Sequence, residues 1–174
     1  MDGMNILSDN SYLDDLSISS FLLLLEDEGF TFQFPMTIFN PLKPSTSNND
    51  LQIFGGHPSH PHWYCLHFDG HNVFIYDSLG SGNFEKLTEV EKHYIQVRYP
   101  KQVEEKRVVF KNVTSQPDGS TCGVYAAAYA TTIALGGDPS DFVYSQNSKE
   151  MREHFYTHII LARKLVHFPS TRKN

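Results

Sequence analysis

Cysteine is scarce in this chain, with Cys65 and Cys122 the only two among 174 residues. Two thiols make one bridge at most, which excludes a disulfide-stapled secreted scaffold. Long apolar runs are also missing. The longest strongly apolar stretch, Phe21 to Leu25, is five residues, against the ~20 needed to cross a bilayer. Met1-Asp2-Gly3 offers no basic region ahead of an apolar segment, so the start does not read as a secretory signal. These absences predict an intracellular, reducing setting, in nucleus or cytoplasm, with no membrane partner and both thiols free. Positive charge is in deficit too, with 14 Lys and Arg against 20 Asp and Glu and a net charge of −6. A domain whose task is to neutralise phosphates is usually strongly basic, so no nucleic-acid partner is expected. The stretch from Lys101 to Lys111 also carries Glu104 and Glu105 and reads as a mixed, solvated face.

Aromatic residues are plentiful, with 13 Phe and 9 Tyr within a hydrophobic share of 40%. A chain of this size with that much apolar area can bury a core, and it fits one monomeric domain over 1–174, with its core at about 11–166. There is no internal repeat. Residues 12–25 read as a buried helix that Asp14 or Asp15 can cap, stopped by Glu26-Asp27-Glu28 and Gly29. Phe30 to Phe34 alternates as a strand does, and 40–50 reads as a solvated loop. His62 to Phe68 and Asn72 to Tyr76 are strand-like runs separated by Asp69-Gly70, a hairpin signal. Residues 84–98 have helical spacing, and Val108 to Phe110 suggest a strand. An Ala-rich helix runs from Cys122 to Leu135, closed by Gly136-Gly137. A last helix runs from about Ser148 to Val166, with Asn147 and Glu150 as a capping box. Helices at both ends of a small central sheet make an α+β domain.

Cys122 stands where a turn-rich loop meets a helix start. The N–H groups of a first helical turn have no partner inside the helix and carry partial positive charge, which favours a thiolate. Gly123 leaves room for a substrate backbone beside the sulfur. The plainer reading is a small buried cysteine. A thiol nucleophile needs a base, and the hairpin helps to choose one among nine histidines. If Asp69-Gly70 is a two-residue turn, His62 lies directly opposite Asp77, where a carboxylate can fix the imidazole's tautomer and orientation. A four-residue loop puts Tyr64 opposite Asp77 instead and leaves His62 on the diagonal, still within reach. His67 and His71, nearer the turn, fit less well. Gln116, six residues before Cys122, can donate from its amide to a developing oxyanion, with the Cys122 backbone N–H as the second donor. Trp63, the single tryptophan, reads first as core and, on the face opposite His62, as one wall of a narrow channel. His57, His60, His62 and Cys65 can also be read as a metal cluster, weakened by Pro58 and Pro61 and by the lack of a second tight Cys/His pair. No cofactor or metal is expected.

In order and spacing, Pro61-His62-Trp63-Tyr64, Tyr76-Asp77-Ser78-Leu79 and Gln116-Pro117-Asp118-Gly119-Ser120-Thr121-Cys122-Gly123 resemble the ubiquitin-like-protein proteases, the SUMO-protease and adenain-like cysteine peptidases. Tyr12-Leu13-Asp14-Asp15, followed by Ile18 and Phe21, is similar to that family's first substrate-contacting helix. The resemblance spans about residues 11–160. It implies a papain-like α+β fold with its catalytic parts in permuted order and a small, mostly antiparallel sheet flanked by helices. It implies that Cys122 attacks the carbonyl after a Gly-Gly tail, with His62 as base and then acid, Asp77 orienting it and Gln116 holding the oxyanion. It further implies that Trp63 lines the tunnel for that tail and that Tyr12, Asp15 and Gly123 meet the ubiquitin-like partner or its conjugate. Three features depart from the family pattern. Tyr12 stands where a tryptophan is usual, Pro117-Asp118 where an Asn-containing turn is more frequent, and Thr121 where an Asp usually precedes the cysteine. Other readings stay open: a viral or mobile-element polyprotein protease of the same fold, and a non-catalytic module that grips a ubiquitin-like protein.

Overall fold

Side chains alternate along the central aromatic run, and both faces of that run are apolar, so the sheet it belongs to is covered on each side. A computed structural model describes residues 6–8, 11–33, 42–57, 60–80 and 82–174. In strand β2 (His60–Phe68), Trp63 and Cys65 join one buried cluster, whereas Tyr64, Leu66 and Phe68 join a second. Strands β1 (Asp50–His57) and β3 (Val73–Tyr76) flank β2 antiparallel, and β4 (Val108–Lys111) lies parallel beside β3. Helices pack on both faces. The first cluster is closed by α1 (Asp15–Asp27) and the later helices, and the second by α2 (Glu89–Arg98) with the short α3 (Pro100–Glu104) behind it. The result is an α+β fold with a small, mostly antiparallel sheet between helices.

Helix α4 (Cys122–Ala134) is buried over nearly its whole circumference. Its run of alanines lets it lie close on the sheet without bulky side chains between, and it ends at Leu135 with Gly136 in the left-handed region at φ 86°. A two-stranded antiparallel sheet, β5 (Phe142–Tyr144) with β6 (Ser170–Arg172), closes the far end. Between them α5 (Ser148–Glu153) continues as a π-helix over His154–Leu161. Met151, Phe155 and Ile159 are fully buried, and side chains of that size contribute about 1.5–3 kcal/mol each. No helix among the described residues is long and apolar enough to cross a membrane.

Some open alternatives are decided and other expectations need correction. The β2–β3 ladder pairs Cys65 with Tyr76 and Phe68 with Val73, so the connection has four residues, 69–72, and the two-residue-turn register does not form. Asp69 accepts from the backbone N–H groups of His71 and Asn72, which holds the longer loop closed. Of the strand read at Phe30 to Phe34, a single bridge forms, from Thr31 to Asp50, and Phe34 lies outside the described residues. Asp14, not Asp15, caps α1, accepting from the Ser17 N–H at 2.7 Å. The last helix stops at Leu161 rather than near Val166. Its wider π turns carry Ala162 out of the apolar stripe to the surface, and Arg163 turns left-handed at φ 49°. Glu150 does not complete a capping box, because its carboxylate takes the Ser145 hydroxyl while Asn147 alone caps.

Candidate active site

Parallel pairing of β3 with β4 delivers two loops to the same end of the sheet. One begins at Asp77 and the other runs through 112–121 into α4. His62, near the start of the neighbouring β2, meets them there. Its Nε2 donates to Asp77 Oδ1 at 2.7 Å, although the register places the two residues on a diagonal. The same Asp77 oxygen accepts from the Leu79 N–H at 2.9 Å, which pins the carboxylate. With Nε2 committed to Asp77, Nδ1 is the nitrogen left for the Cys122 thiol, whose hydrogen bond acts on the ring. His62 is 5% exposed. Burial opposes its charge, but the bonds to Asp77 and Cys122 and the charges behind them outweigh burial and raise the imidazole from 6.5 to about 9.

A second layer holds this ring. Tyr64 stands edge-on to His62, with centroids 4.4 Å apart, and stacks on Phe54, which stacks on Tyr94. Burial and the negative charge of the buried Glu91 carboxylate both push the Tyr64 hydroxyl well up. Glu91 accepts from the Thr88 N–H and hydroxyl in the capping box of α2, which fixes the carboxylate near the histidine's neighbour.

The loop before Cys122 is organised by one carboxylate. Asp118 Oδ1 accepts from the N–H groups of Ser120 and Thr121, both at 2.9 Å, and from the Thr121 hydroxyl at 2.6 Å. Its other oxygen takes the Ser148 hydroxyl from α5. Burial works against the charge of Asp118, yet these donors lower its carboxyl from 3.8 to about 2. On the far side of the loop, the fully buried Arg152 donates to the carbonyl and hydroxyl of Ser120, and also to the carbonyls of Ile6 and Ser11.

Gln116 is half-buried in this loop. Its carboxamide oxygen accepts from the Ser78 hydroxyl at 2.5 Å, and its NH2 donates to the Asp118 carbonyl at 2.6 Å. An NH2 group has a second hydrogen to give, and the Cys122 N–H lies in the first turn of α4, where no helical carbonyl can take it. A base beside a thiol, a carboxylate fixing the base, and two N–H donors next to them are the parts that acyl transfer through sulfur requires.

The remaining predicted residues divide. Trp63 is buried, and its ring lies flush on Gly56, where an added Cβ would meet it at 2.3 Å. Its Nε1 donates to the Leu13 carbonyl at 3.1 Å. The Leu13 side chain packs on Gly123, 3.1 Å from where a Cβ would be, so the space freed by this glycine is filled by Leu13 rather than left clear beside the sulfur. Tyr12 is exposed just before α1, and Asp15 is half-buried in its first turn. The structure thus brings Leu13, Trp63 and Gly123 into contact beside Cys122. Among the described residues, no group of three His, Cys, Asp or Glu side chains is arranged to hold a metal ion. His57 and His60 face each other across β1 and β2, while Cys65 is wholly buried, with its thiol pushed well up by burial. Sequence reasoning gave no role to Leu13, Ser78 or Arg152, although the first two stand inside the motifs quoted above; Arg152 carries no motif.

No protein-family model matches the chain, and no curated protein does. Solved structures do. The C-terminal Ulp1 protease domain in complex with Smt3, the yeast ortholog of SUMO, superposes with a TM-score of 0.62 at 16% identity, over 94% of this chain and 83% of that one. The SUMO protease Ulp1 with its catalytic cysteine oxidised to a sulfenic acid gives 0.62 at 17%, over 95% and 84%. The fold of this chain is that of the Ulp1 SUMO-protease domain.

Proposed function

We propose that the protein is a cysteine peptidase or isopeptidase that cleaves after the C-terminal Gly-Gly of a ubiquitin-like protein of the SUMO kind, acting in nucleus or cytoplasm. Cys122 is the nucleophile. His62 takes its proton and returns one to the leaving amine, Asp77 orients His62, and Gln116 with the Cys122 N–H receives the oxyanion. Tyr12, Asp15 and Trp63 contact the partner. The observation that carries this reading is the buried His62 with Asp77 on one nitrogen at 2.7 Å and the Cys122 thiol bonded to its ring. The likeness in fold to a protease held in complex with Smt3 supports it.

The test is a panel of ubiquitin-like proteins ending in a C-terminal electrophile. At least one, with a SUMO-type protein first, labels the wild type at Cys122, and Cys122→Ser abolishes labelling. Labelling that survives in Cys122→Ser, or no labelling by any member, overturns the assignment. Tight partner binding with no labelling identifies a binding module instead.

A further inference from the structure

A carboxamide serves an oxyanion only if its nitrogen, not its oxygen, faces the developing charge, and the two ends are nearly the same size. Something must therefore fix which way Gln116 points. Two contacts do. The Asp118 carbonyl can only accept, so the group 2.6 Å from it must be the Gln116 NH2. The carboxamide oxygen then faces Ser78, whose hydroxyl must donate to it, at 2.5 Å. Ser78 is 2% exposed, so water does not compete for this bond. The backbone repeats the connection, with the Gln116 N–H donating to the Ser78 carbonyl at 2.8 Å. Ser78 directly follows Asp77, so one short segment after β3 steers both the imidazole and the amide.

We propose that Ser78 is a positioning residue that holds the Gln116 carboxamide in the orientation whose polarity the acceptor-only Asp118 carbonyl sets. In a flipped carboxamide the oxygen would face the Asp118 carbonyl and the oxyanion, and both contacts would repel. The Asp118 carbonyl makes the unflipped state the favoured one, the Ser78 hydroxyl anchors the carboxamide in it, and one N–H of Gln116 is left for a developing oxyanion. Ser78 touches no reacting atom and acts only through Gln116.

For its kinetic arm this inference rests on the cysteine-peptidase reading, so the test has an arm that does not. With p-nitrophenyl acetate, which acylates a reactive thiol through an oxyanion and needs no ubiquitin-like partner, Ser78→Ala lowers kcat about tenfold, the scale of one lost hydrogen bond. KM stays within about twofold. Ser78→Thr, which keeps a hydroxyl, restores the rate. In a Gln116→Ala background Ser78→Ala has no further effect, and alkylation of Cys122 by iodoacetamide, which forms no oxyanion, keeps its rate throughout. An equal loss in the Gln116→Ala background, or a parallel loss of alkylation, overturns the proposal and makes Ser78 merely structural. If the wild type does not turn over the ester, the peptidase reading suffers, and the side-chain amide of Gln116 followed by NMR decides the present inference. The proton bonded to the Asp118 carbonyl is protected from exchange in the wild type and exchanges at least about tenfold faster in Ser78→Ala. Unchanged protection refutes this role of Ser78.

Discussion

Cys65 and Cys122 are equally hidden, at 0% and 1% exposure, so burial does not separate them. Their neighbours do. Cys65 sits in mid-strand opposite Tyr76, and burial drives its thiol well up. Cys122 opens a helix beside an imidazole that a carboxylate has already turned toward it. On the proposed reading, reactivity follows from what faces the sulfur, and accessibility to water is a poor guide to it.

The largest expected effect sharpens this contrast. Cys122→Ser lowers turnover of a ubiquitin-like C-terminal substrate by at least about 10³-fold, because the nucleophile and its proton-transfer partner act as a unit. Cys65→Ser leaves kcat within about twofold, and a comparable fall in both variants would erase the distinction. Next comes Gln116→Ala, which costs about 10²–10³ in kcat, as removal of one oxyanion donor does. Steady-state kinetics with an unchanged KM checks it.

The third prediction concerns pH. His62 is raised from 6.5 to about 9, so the folded state binds this proton more tightly than the unfolded chain. Its contribution to stability is complete below pH 6.5 and is lost as pH rises through about 9, and the rate falls over the same alkaline limb as the imidazolium is lost. Because Cys122 is one of the groups that raise His62, Cys122→Ser moves the stability loss to lower pH and Cys65→Ser leaves it in place. Thermal melts from pH 6 to 10 on the three proteins read this directly. The smallest effect reverses the roles of the cysteines. Cys65→Ser buries a hydroxyl among apolar neighbours and costs about 1–3 kcal/mol in urea unfolding, an effect on the fold alone.

Much of this was legible in the sequence because the signals were local. Asp69-Gly70 marked the hairpin, Gly136 ended α4, and the loop from Gln116 to Cys122 keeps its donors within one short segment. The register was not legible, since Asp69-Gly70 fits a two-residue turn as well as the four-residue loop that Asp69 actually caps. Strand β1 was invisible for another reason. Its buried Asp50 and Gln52 look like surface residues until Arg98 and Tyr99 are seen to bond them, and Gly55-Gly56 looks like a loop until Trp63 is seen lying on it. Arg98 and Tyr99 lie far along the chain from what they explain, and Trp63 meets the glycines only once β1 and β2 pair. Asp118 shows the same limit at the site. A departure in the sequence, it gathers the Ser120 and Thr121 amides that lead into Cys122.

Arg152 bears on how such a site comes into being. Its guanidinium spans Ile6 and Ser120, and the bond to Ile6 closes a loop of 146 residues. Closures of that length are made late, after shorter-range contacts have compensated for the entropy they cost. The loop ahead of Cys122 is thus tied at Ser120 by the same guanidinium that makes this long closure to Ile6. One buried side chain therefore makes the state of the segment at Ile6 and Ser11 bear on the loop that leads into Cys122.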